Sequence, residues 1–370
     1  MSGPGADIDA RFMQVAVRMA ERGLGTTAPN PSVGAVLVGF EQSPLGVVIA
    51  RGWTQPGGRP HAETQALAAA GEAARGATLY VTLEPCSHHA RTPPCAEAVI
   101  AAEVARVVVG VTDPDPRVSG RGLAVLRAAG IEVVTGAEAA ACRWVTLGHI
   151  SRVTQRRPMV TLKMALRDDF SVPAGGSGTP NFVTGPEARA AGHLLRAQSD
   201  AILVGSGTVR DDDPELTCRL PGLEHRSPTR IVLDSSLTAL KRTSKLARTA
   251  REVPVWVMTS VEARQEDRTA LENAGVRVSV IESVNGRLNL DGVLRLLADD
   301  GVTRLMVEGG PRTWRACVES GCVDEAFVFV QRNGVRPLAT DGAASFAGLM
   351  TLVTQGTIGA DGYFCFRRGA

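Results

Sequence analysis

The sequence predicts an α/β protein of two domains. Short apolar runs alternate with stretches of helical periodicity along all 370 residues, a pattern typical of α/β folds. Hydrophobic residues at 44% and charged residues at 21% match ordinary globular proteins and exclude a disordered chain. The segment SRVTQRRPMV, at 151–160, interrupts the alternation with charges and a proline. We therefore expect one domain over 1–150 and a second over 151–370.

The first domain is expected to begin with a helix over 7–25, where apolar residues recur at helical spacing and glycines follow. Apolar runs rich in valine then predict strands. These runs lie at 33–38, 46–52, 77–83, 106–111 and 131–134. Helices between them are predicted at 61–74, from about 93 and at 120–129.

The second domain shows the same alternation with its own elements. Strands are predicted at 159–166, 201–205, 230–234, 253–258, 304–310 and 324–330. Helices are predicted at 186–198, 262–274, 291–299 and 312–320. The Gly, Pro and Ser-rich segment 171–180 is interpreted as a loop near a site rather than as a linker.

Composition excludes several classes of protein. A net charge of +2 is not that of a protein that binds a phosphate backbone. No apolar run approaches the roughly 18 residues of a membrane span, and the first residues lack the pattern of a signal peptide. Seven irregularly spaced cysteines are too few for a disulfide framework. We expect a cytoplasmic protein that binds neither nucleic acid nor a membrane.

The strongest chemical signal is a predicted zinc site. His61 and Glu63 open a helix, and Cys86 and Cys95 follow a strand in LEPCSHHARTPPC. One imidazole and two thiolates form a three-ligand set that leaves the fourth tetrahedral position open, as in catalytic zinc sites. Glu63 lies two residues from a ligand and is expected to transfer protons without binding the metal. This pattern indicates a zinc-dependent deaminase.

Two histidines between the cysteines leave an alternative open. His88 and His89 are candidates either for metal ligands or for substrate contacts, although the softness of thiolates favours the cysteines as ligands. The remaining cysteines are interpreted as buried structural residues. They are Cys142, Cys218, Cys317, Cys322 and Cys365.

Longer motifs extend this interpretation to a family. The segments APNPSVGAVLV, PHAE, LEPCSHHARTPPC and VTDPDP to GRG together resemble the N-terminal half of the bifunctional pyrimidine deaminase/reductase family of riboflavin biosynthesis. That resemblance implies a cytidine-deaminase-like αβα domain that deaminates 2,5-diamino-6-(5-phosphoribosylamino)pyrimidin-4(3H)-one. It also implies substrate contacts from Asn30, His88, Arg91 and Asp113. Asp115 occupies a position that is commonly Asn in the family, so it is not included.

Two glycine-rich strand ends point to a dinucleotide in the second domain. Residues 205–208 read GSGT and residues 307–313 read VEGGPRT, and each segment begins within the end of a predicted strand. Glycines at such positions let backbone amides approach a phosphate at a helix N-terminus. The spacing is not G-x-G-x-x-G, so an ordinary Rossmann fingerprint is absent.

The second half is similar to the reductase half of the same family, from about 158 to 330. The resemblance implies a dihydrofolate-reductase-like α/β fold that uses NADPH to reduce the ribosyl group to ribityl. The implied cofactor-binding residues are Ala165, Phe182, Thr208, Asp212, Ser235, Gly310, Pro311, Arg312, Thr313, Trp314, Arg315 and Ala316. The implied substrate-binding residues are Arg196, Leu216, Arg219 and Glu308. Lys163 and Asp212 are the catalytic candidates, Lys163 for the sugar and Asp212 for proton handling.

Departures from the family pattern occur in this half. The family usually reads K-x-A-x-S-L-D-G, whereas this chain reads KMALRDDF, which places Arg167, Asp168 and Phe170 at altered positions. Phe170 replaces a glycine, which is costly if the position needs a positive φ. Pro180 and Phe182 replace a serine and a tryptophan of the next family segment.

Three functional hypotheses follow. The first is a two-step enzyme that combines zinc-dependent deamination with NADPH-dependent reduction, acts on a phosphoribosyl pyrimidine and forms a homo-oligomer. The second is a deaminase whose second domain is degenerate and does not reduce. The third is a nucleic-acid base deaminase, because the same zinc motif serves such enzymes.

Overall fold

The chain folds as two compact units, Met1–Arg157 and Pro158–Ala370. The computed structural model describes residues 4–88, 93–116, 118–172, 183–331 and 350–369. The division follows Arg157 rather than residue 150, because a helix over Ala139–Gln155 continues through the start of the charged segment. Among the described residues, none of the helices has both the length and the apolar character needed to cross a membrane.

The first unit is built around a mixed sheet, which has five strands in the described part of the chain. Its strands are β1 (Gly34–Gly39), β2 (Val47–Trp53), β3 (Thr78–Leu83), β4 (Arg106–Val111) and β5 (Glu132–Thr135). Its helices are α1 (Pro4–Glu21), α2 (Ala62–Ala70), α3 (Cys95–Ala101), α4 (Arg121–Ala128) and α5 (Ala139–Gln155). The order is β2-β1-β3-β4-β5, with β1 antiparallel to both neighbours and β3, β4 and β5 parallel.

Helices cover both faces of this sheet, as the alternation of side chains along a strand requires. Val36 and Val38 of β1 pack in one apolar cluster with α1 and α5. Ala35 and Leu37 of the same strand pack in another cluster with α2, α3 and α4. The result is the αβα arrangement expected for the first domain.

A buried carboxylate joins α1 to this sheet. Asp9 is 7% exposed and accepts a 2.9 Å hydrogen bond from the Tyr80 hydroxyl. It also accepts two 2.8 Å bonds from the guanidinium of Arg106. Burial opposes ionisation, but the hydrogen bonds from Arg106 and Tyr80 lower the pKa of Asp9.

The second unit contains a larger sheet, with nine strands among the described residues. Its strands are β6 (Met159–Leu166), β7 (Ala201–Gly205), β8 (Thr229–Leu233), β9 (Val255–Thr259), β10 (Arg277–Val280), β13 (Arg304–Val307), β14 (Glu325–Val330), β15 (Thr351–Ile358) and β16 (Asp361–Arg367). A separate hairpin pairs β11 (Ser283–Val284) with β12 (Arg287–Leu288). The helices are α6 (Pro186–Ala197), α7 (Ser206–Asp212), α8 (Lys245–Arg248), α9 (Gln265–Asn273), α10 (Leu290–Asp299) and α11 (Pro311–Glu319).

The strand order of this unit brings several strand ends together. The order is β10-β9-β8-β7-β13-β6-β14-β16-β15, and the strands from β10 to β14 run parallel. The carboxyl ends of β8, β7, β13 and β6 therefore meet at one edge, where ligands bind in open α/β sheets. The antiparallel pair β15 and β16 was not predicted, although Thr351–Ile358 and Asp361–Arg367 flank a short turn typical of a hairpin.

Candidate functional site

The predicted zinc ligands come together in the first unit. His61 directly precedes α2, Cys86 follows β3, and Cys95 is the first residue of α3. The Nδ1 atom of His61 lies 3.3 Å from the Sγ atom of Cys95 and 3.7 Å from the Sγ atom of Cys86. All three ligand atoms lie within 4.8 Å of one another, and within the described ranges no other such group of His, Cys, Asp or Glu is found.

The geometry and chemistry of this cluster fit a zinc ion. A tetrahedral ion with Zn–N near 2.1 Å and Zn–S near 2.3 Å separates nitrogen from sulfur by about 3.6 Å. The observed separations of 3.3 and 3.7 Å are close to that value. One imidazole and two thiolates are soft ligands that select zinc over magnesium or calcium. His61, Cys86 and Cys95 are therefore the residues that would hold it.

Glu63 lies beside the ligands in the first turn of α2. Its side chain is only 4% exposed. Burial and the charge of Cys86 raise the pKa of Glu63 to about 7. Hydrogen bonds from Cys95, including its backbone N–H at 3.3 Å, lower the pKa of Cys86 to about 4, although burial opposes this. The site thus combines a thiolate with a carboxyl group that is able to exchange protons.

The predicted substrate contacts of this unit have different surroundings. The Nδ2 atom of Asn30 donates to the carbonyl of Gly58 at 3.4 Å. Gly58 has a φ of +83°, and a Cβ there would lie 1.9 Å from Asn30 Nδ2, so only glycine fits beside Asn30. His88 is exposed, and it is not part of the three-ligand cluster. Arg91 and His89 lie outside the described residues.

Asp113 is 6% exposed and already has protein partners. Its Oδ1 atom accepts the N–H of Asp115 at 2.9 Å and lies 3.1 Å from Nε2 of His149.

Glu84 lies two residues before the predicted ligand Cys86 and is also buried. Its carboxylate accepts the backbone N–H groups of Gly120 and Gly122, each at 3.0 Å. Sequence reasoning missed His149 and Glu84. His149 carries no local signal, whereas Glu84 stands out as a carboxylate at the end of an apolar strand.

The second unit contains a cavity of about 1220 Å³ at the meeting strand ends. This exceeds the roughly 300–1,000 Å³ of ordinary small-molecule sites, as expected for a site that holds a cofactor and a substrate. The predicted catalytic and substrate-binding residues of this half that line it are Lys163, Asp212, Arg196, Leu216, Arg219 and Glu308. The predicted cofactor-binding residues that line it are Ala165, Thr208, Asp212, Ser235, Gly310, Pro311, Arg312, Thr313, Trp314 and Ala316.

Two predicted cofactor residues are not among the lining residues. Arg315 is exposed and does not line the cavity, because each residue of α11 is rotated about 100° from the last and Arg315 leaves the face shared by Thr313 and Ala316. Phe182 lies outside the described residues, as does Pro180.

The ends of β7 and β13 give this cavity the features of a dinucleotide-binding site. α11 begins at Pro311, with three residues between it and the end of β13, and Gly205 at the end of β7 closely approaches the first turn of this helix. A Cβ at Gly205 would lie 2.7 Å from Oγ1 of Thr313, so a larger residue would displace this hydroxyl from the cavity wall. The N-terminus of α11 favours a phosphate. The residues present therefore fit a phosphate-bearing cofactor such as NADPH.

A carboxylate bridges two cations in the cavity wall. Glu308 accepts a 3.1 Å hydrogen bond from Nζ of Lys163 and a 2.9 Å bond from Nε of Arg196. Burial opposes ionisation, but the charges of Arg196 and Lys163 lower the pKa of Glu308 to about 2. Nearby, burial and the charge of Asp211 raise the pKa of Asp212.

One face of α6 contributes residues that sequence reasoning missed. Arg189 and His193 line the cavity together with Arg196. Their spacing of four and three residues is the signal that could have found them, because such residues share one face of a helix. Burial and the charges of Arg196 and Arg219 lower the pKa of His193 to about 4.

Phe170 occupies the strained conformation expected at its position. Its φ is +61°, which is unfavourable for an aromatic residue and would suit a glycine. The ring packs against the ring of Phe364 at a centroid distance of 6.4 Å, which offsets part of the strain. The exposed residues Arg167 and Asp168 precede it.

Both halves of the chain match known families. Residues 6–111 match the cytidine and deoxycytidylate deaminase zinc-binding region. Residues 158–331 match the RibD C-terminal domain.

Relatives and solved structures cover nearly the whole chain. The riboflavin biosynthesis protein RibD of Aquifex aeolicus is 40% identical over 324 residues, which is 88% of this chain and 87% of that protein. The same protein of Escherichia coli is 39% identical over 335 residues, covering 87% of each. The structure of Acinetobacter baumannii RibD superposes with a TM-score of 0.80 at 32% identity, covering 99% of this chain and 100% of that one. A deaminase/reductase structure from Thermotoga maritima gives a TM-score of 0.80 at 30% identity, covering 98% and 99%.

Proposed function

Since the chain belongs to the RibD family of riboflavin biosynthesis proteins, we propose that it catalyses two successive reactions on one phosphoribosyl pyrimidine. The first unit hydrolytically deaminates 2,5-diamino-6-(5-phosphoribosylamino)pyrimidin-4(3H)-one. The second unit uses NADPH to reduce the ribosyl group of the product to a ribityl chain. The observation that carries this proposal is the convergence of His61, Cys86 and Cys95 beside a buried Glu63.

In the deaminase unit, residues of the chain orient the substrate and transfer protons. His61, Cys86 and Cys95 would hold a zinc ion, which would supply hydroxide as a nucleophile at neutral pH. The carboxylate of Glu63 accepts a proton from the attacking water and delivers it to the ring nitrogen of the pyrimidine. It then takes the remaining hydroxyl proton and gives it to the departing ammonia. Asn30 and Asp113 orient the pyrimidine and the ribose side, and the hydrogen bond of Asn30 to Gly58 supports such an orienting role.

In the reductase unit, charged residues orient the phosphorylated sugar. NADPH supplies the hydride when it is bound. Arg196 and Arg219 hold the phosphate, since guanidinium groups bind it through paired hydrogen bonds. Lys163, held by Glu308 at 3.1 Å, orients the sugar oxygen. Asp212 holds the proton that accompanies the hydride, and its raised pKa supports that role.

A combined assay tests this proposal. Purified protein is analysed for zinc, then incubated with the diaminopyrimidine, and released ammonia is measured with and without NADPH. We expect about one zinc per chain, ammonia release in both cases, and NADPH oxidation only after deamination. Absence of ammonia release from zinc-loaded protein would contradict the deaminase function. Deamination without NADPH oxidation would instead favour a second unit that does not reduce.

The setting of the reaction is part of the same proposal. The chain acts on a free small molecule rather than on a nucleic acid, as its net charge of +2 supports, and it forms a homo-oligomer. It works in the cytoplasm, as the presence of seven free thiols supports. Light scattering after gel filtration tests the oligomer, and filter binding of labelled RNA at low salt tests the exclusion of nucleic acid.

A further inference from the structure

A strained segment crosses the wall of the reductase cavity. Residues 214–219 contribute Leu216 and Arg219 to the lining. Leu216 is 3% exposed and has a φ of +58°, a left-handed conformation that side chains other than glycine rarely adopt. Such a conformation persists only where neighbouring contacts hold it, and these conformations concentrate at functional sites.

Side chains from neighbouring elements hold the backbone on both sides of Leu216. The Nη1 atom of Arg230, on β8, donates to the carbonyl of Glu215 at 3.2 Å. The Nη1 atom of Arg196, on α6, donates to the carbonyl of Thr217 at 2.8 Å. The segment is thus attached to two elements of the fold rather than left as a free loop.

His193 completes this attachment at Arg219, which lines the cavity and is the proposed phosphate-binding residue. Its Nδ1 atom accepts the backbone N–H of Arg219 at 3.2 Å. Its own carbonyl accepts the thiol of Cys218 at 3.5 Å. An Nδ1 atom that accepts a hydrogen bond carries no proton, so the imidazole is neutral with its proton on Nε2.

We propose that His193 is a positioning residue for substrate recognition in the reductase cavity, because its Nδ1 atom holds the backbone of Arg219 and so sets where that guanidinium meets the substrate phosphate. The inference rests on the proposed reductase function, in which Arg219 binds the phosphate. The charged groups that face His193 are Arg196, Arg219 and Glu308. Burial and the charges of the two arginines lower the pKa of His193, which preserves Nδ1 as an acceptor.

Replacement of His193 in the full chain tests this role. His193→Leu removes the acceptor, whereas His193→Asn places an oxygen on the carbon that bears Nδ1 in histidine. We expect His193→Leu to raise KM for the deaminated substrate about tenfold, since a backbone N–H loses its partner. KM for NADPH, kcat and ammonia release should stay unchanged. His193→Asn should restore KM to within about threefold of the original chain.

A second histidine of the same unit provides the control for this experiment. His225 is exposed in the same unit, and His225→Leu should leave every parameter unchanged. If His193→Leu does not fold, His193→Ala replaces it. An unchanged KM in the Leu or Ala variant, or equal impairment in the Asn variant, would overturn the proposal.

A binding measurement separates this inference from the proposed function. Calorimetric titration with ribose 5-phosphate measures the phosphate site without turnover. If the original chain oxidises no NADPH, the reductase function fails, and the titration alone decides the role of His193. Weaker binding in His193→Leu with recovery in His193→Asn supports the role. Equal affinities, or no binding by the original chain, overturn it.

Discussion

Replacing Glu308 by glutamine should destabilise the second unit in a pH-dependent manner. Glu308 lies between Lys163 and Arg196, and its side chain is 17% exposed. Glutamine preserves the shape and keeps one acceptor oxygen, but it replaces the other oxygen by a donor and removes the negative charge between two cations. The change therefore tests the electrostatic part of the interaction separately from packing.

The magnitude follows from the pKa of Glu308. A decrease from 4.5 to about 2 on folding corresponds to about 3 kcal/mol, at about 1.4 kcal/mol per pKa unit. Because the folded pKa lies below the unfolded one, this stability is complete above the unfolded value and is lost as the pH falls through the folded value. Linkage gives the charge-dependent part of the difference between the original chain and Glu308→Gln as about 3 kcal/mol at pH 7 and about 2 kcal/mol near pH 3.5.

Hydrogen exchange of the β6 and β13 amides in urea, in the full chain, measures the unfolding free energy of this unit. The exposed Glu319 provides a matched control, and Glu319→Gln should give no pH-dependent difference. A difference for Glu308→Gln that is the same at both pH values would refute the reasoning. So would a difference well below 1 kcal/mol at pH 7.

Three further predictions concern the first unit. Glu63→Gln should lower ammonia release at least about a hundredfold while elemental analysis still finds zinc, and retention of full activity would contradict its proton-transfer role. Cys86→Ser should lose the metal and lower the unfolding temperature of this unit, because metal binding is coupled to folding; an unchanged metal content would contradict the ligand assignment. Tyr80→Phe should cost about 1 kcal/mol, since Asp9 loses one of its hydrogen bonds, and a calorimetric melt measures the loss. An unchanged melting temperature would indicate that Arg106 alone satisfies the carboxylate.

Much of the first unit could be predicted because its chemistry is local. His61 and Glu63 share one helical turn, so their proximity follows from helix geometry alone. Cys86 follows the end of one predicted strand, and Cys95 lies only nine residues later at the start of a predicted helix. This short connection keeps both cysteines near the same edge of the sheet. The partner of Asp113 was not predictable, because His149 lies in a later helix and no residue spacing relates the two.

The sequence by itself determined the α/β class, the alternation of buried positions and the three soft ligands beside a carboxylate. These features depend on periodicity and on contacts between residues close along the chain. Only the tertiary structure decided that Glu308 joins Lys163 and Arg196, which lie 145 and 112 residues away. That meeting depends on the insertion of β13 between β7 and β6, and strand order is set by the packing of the whole sheet rather than by any local pattern.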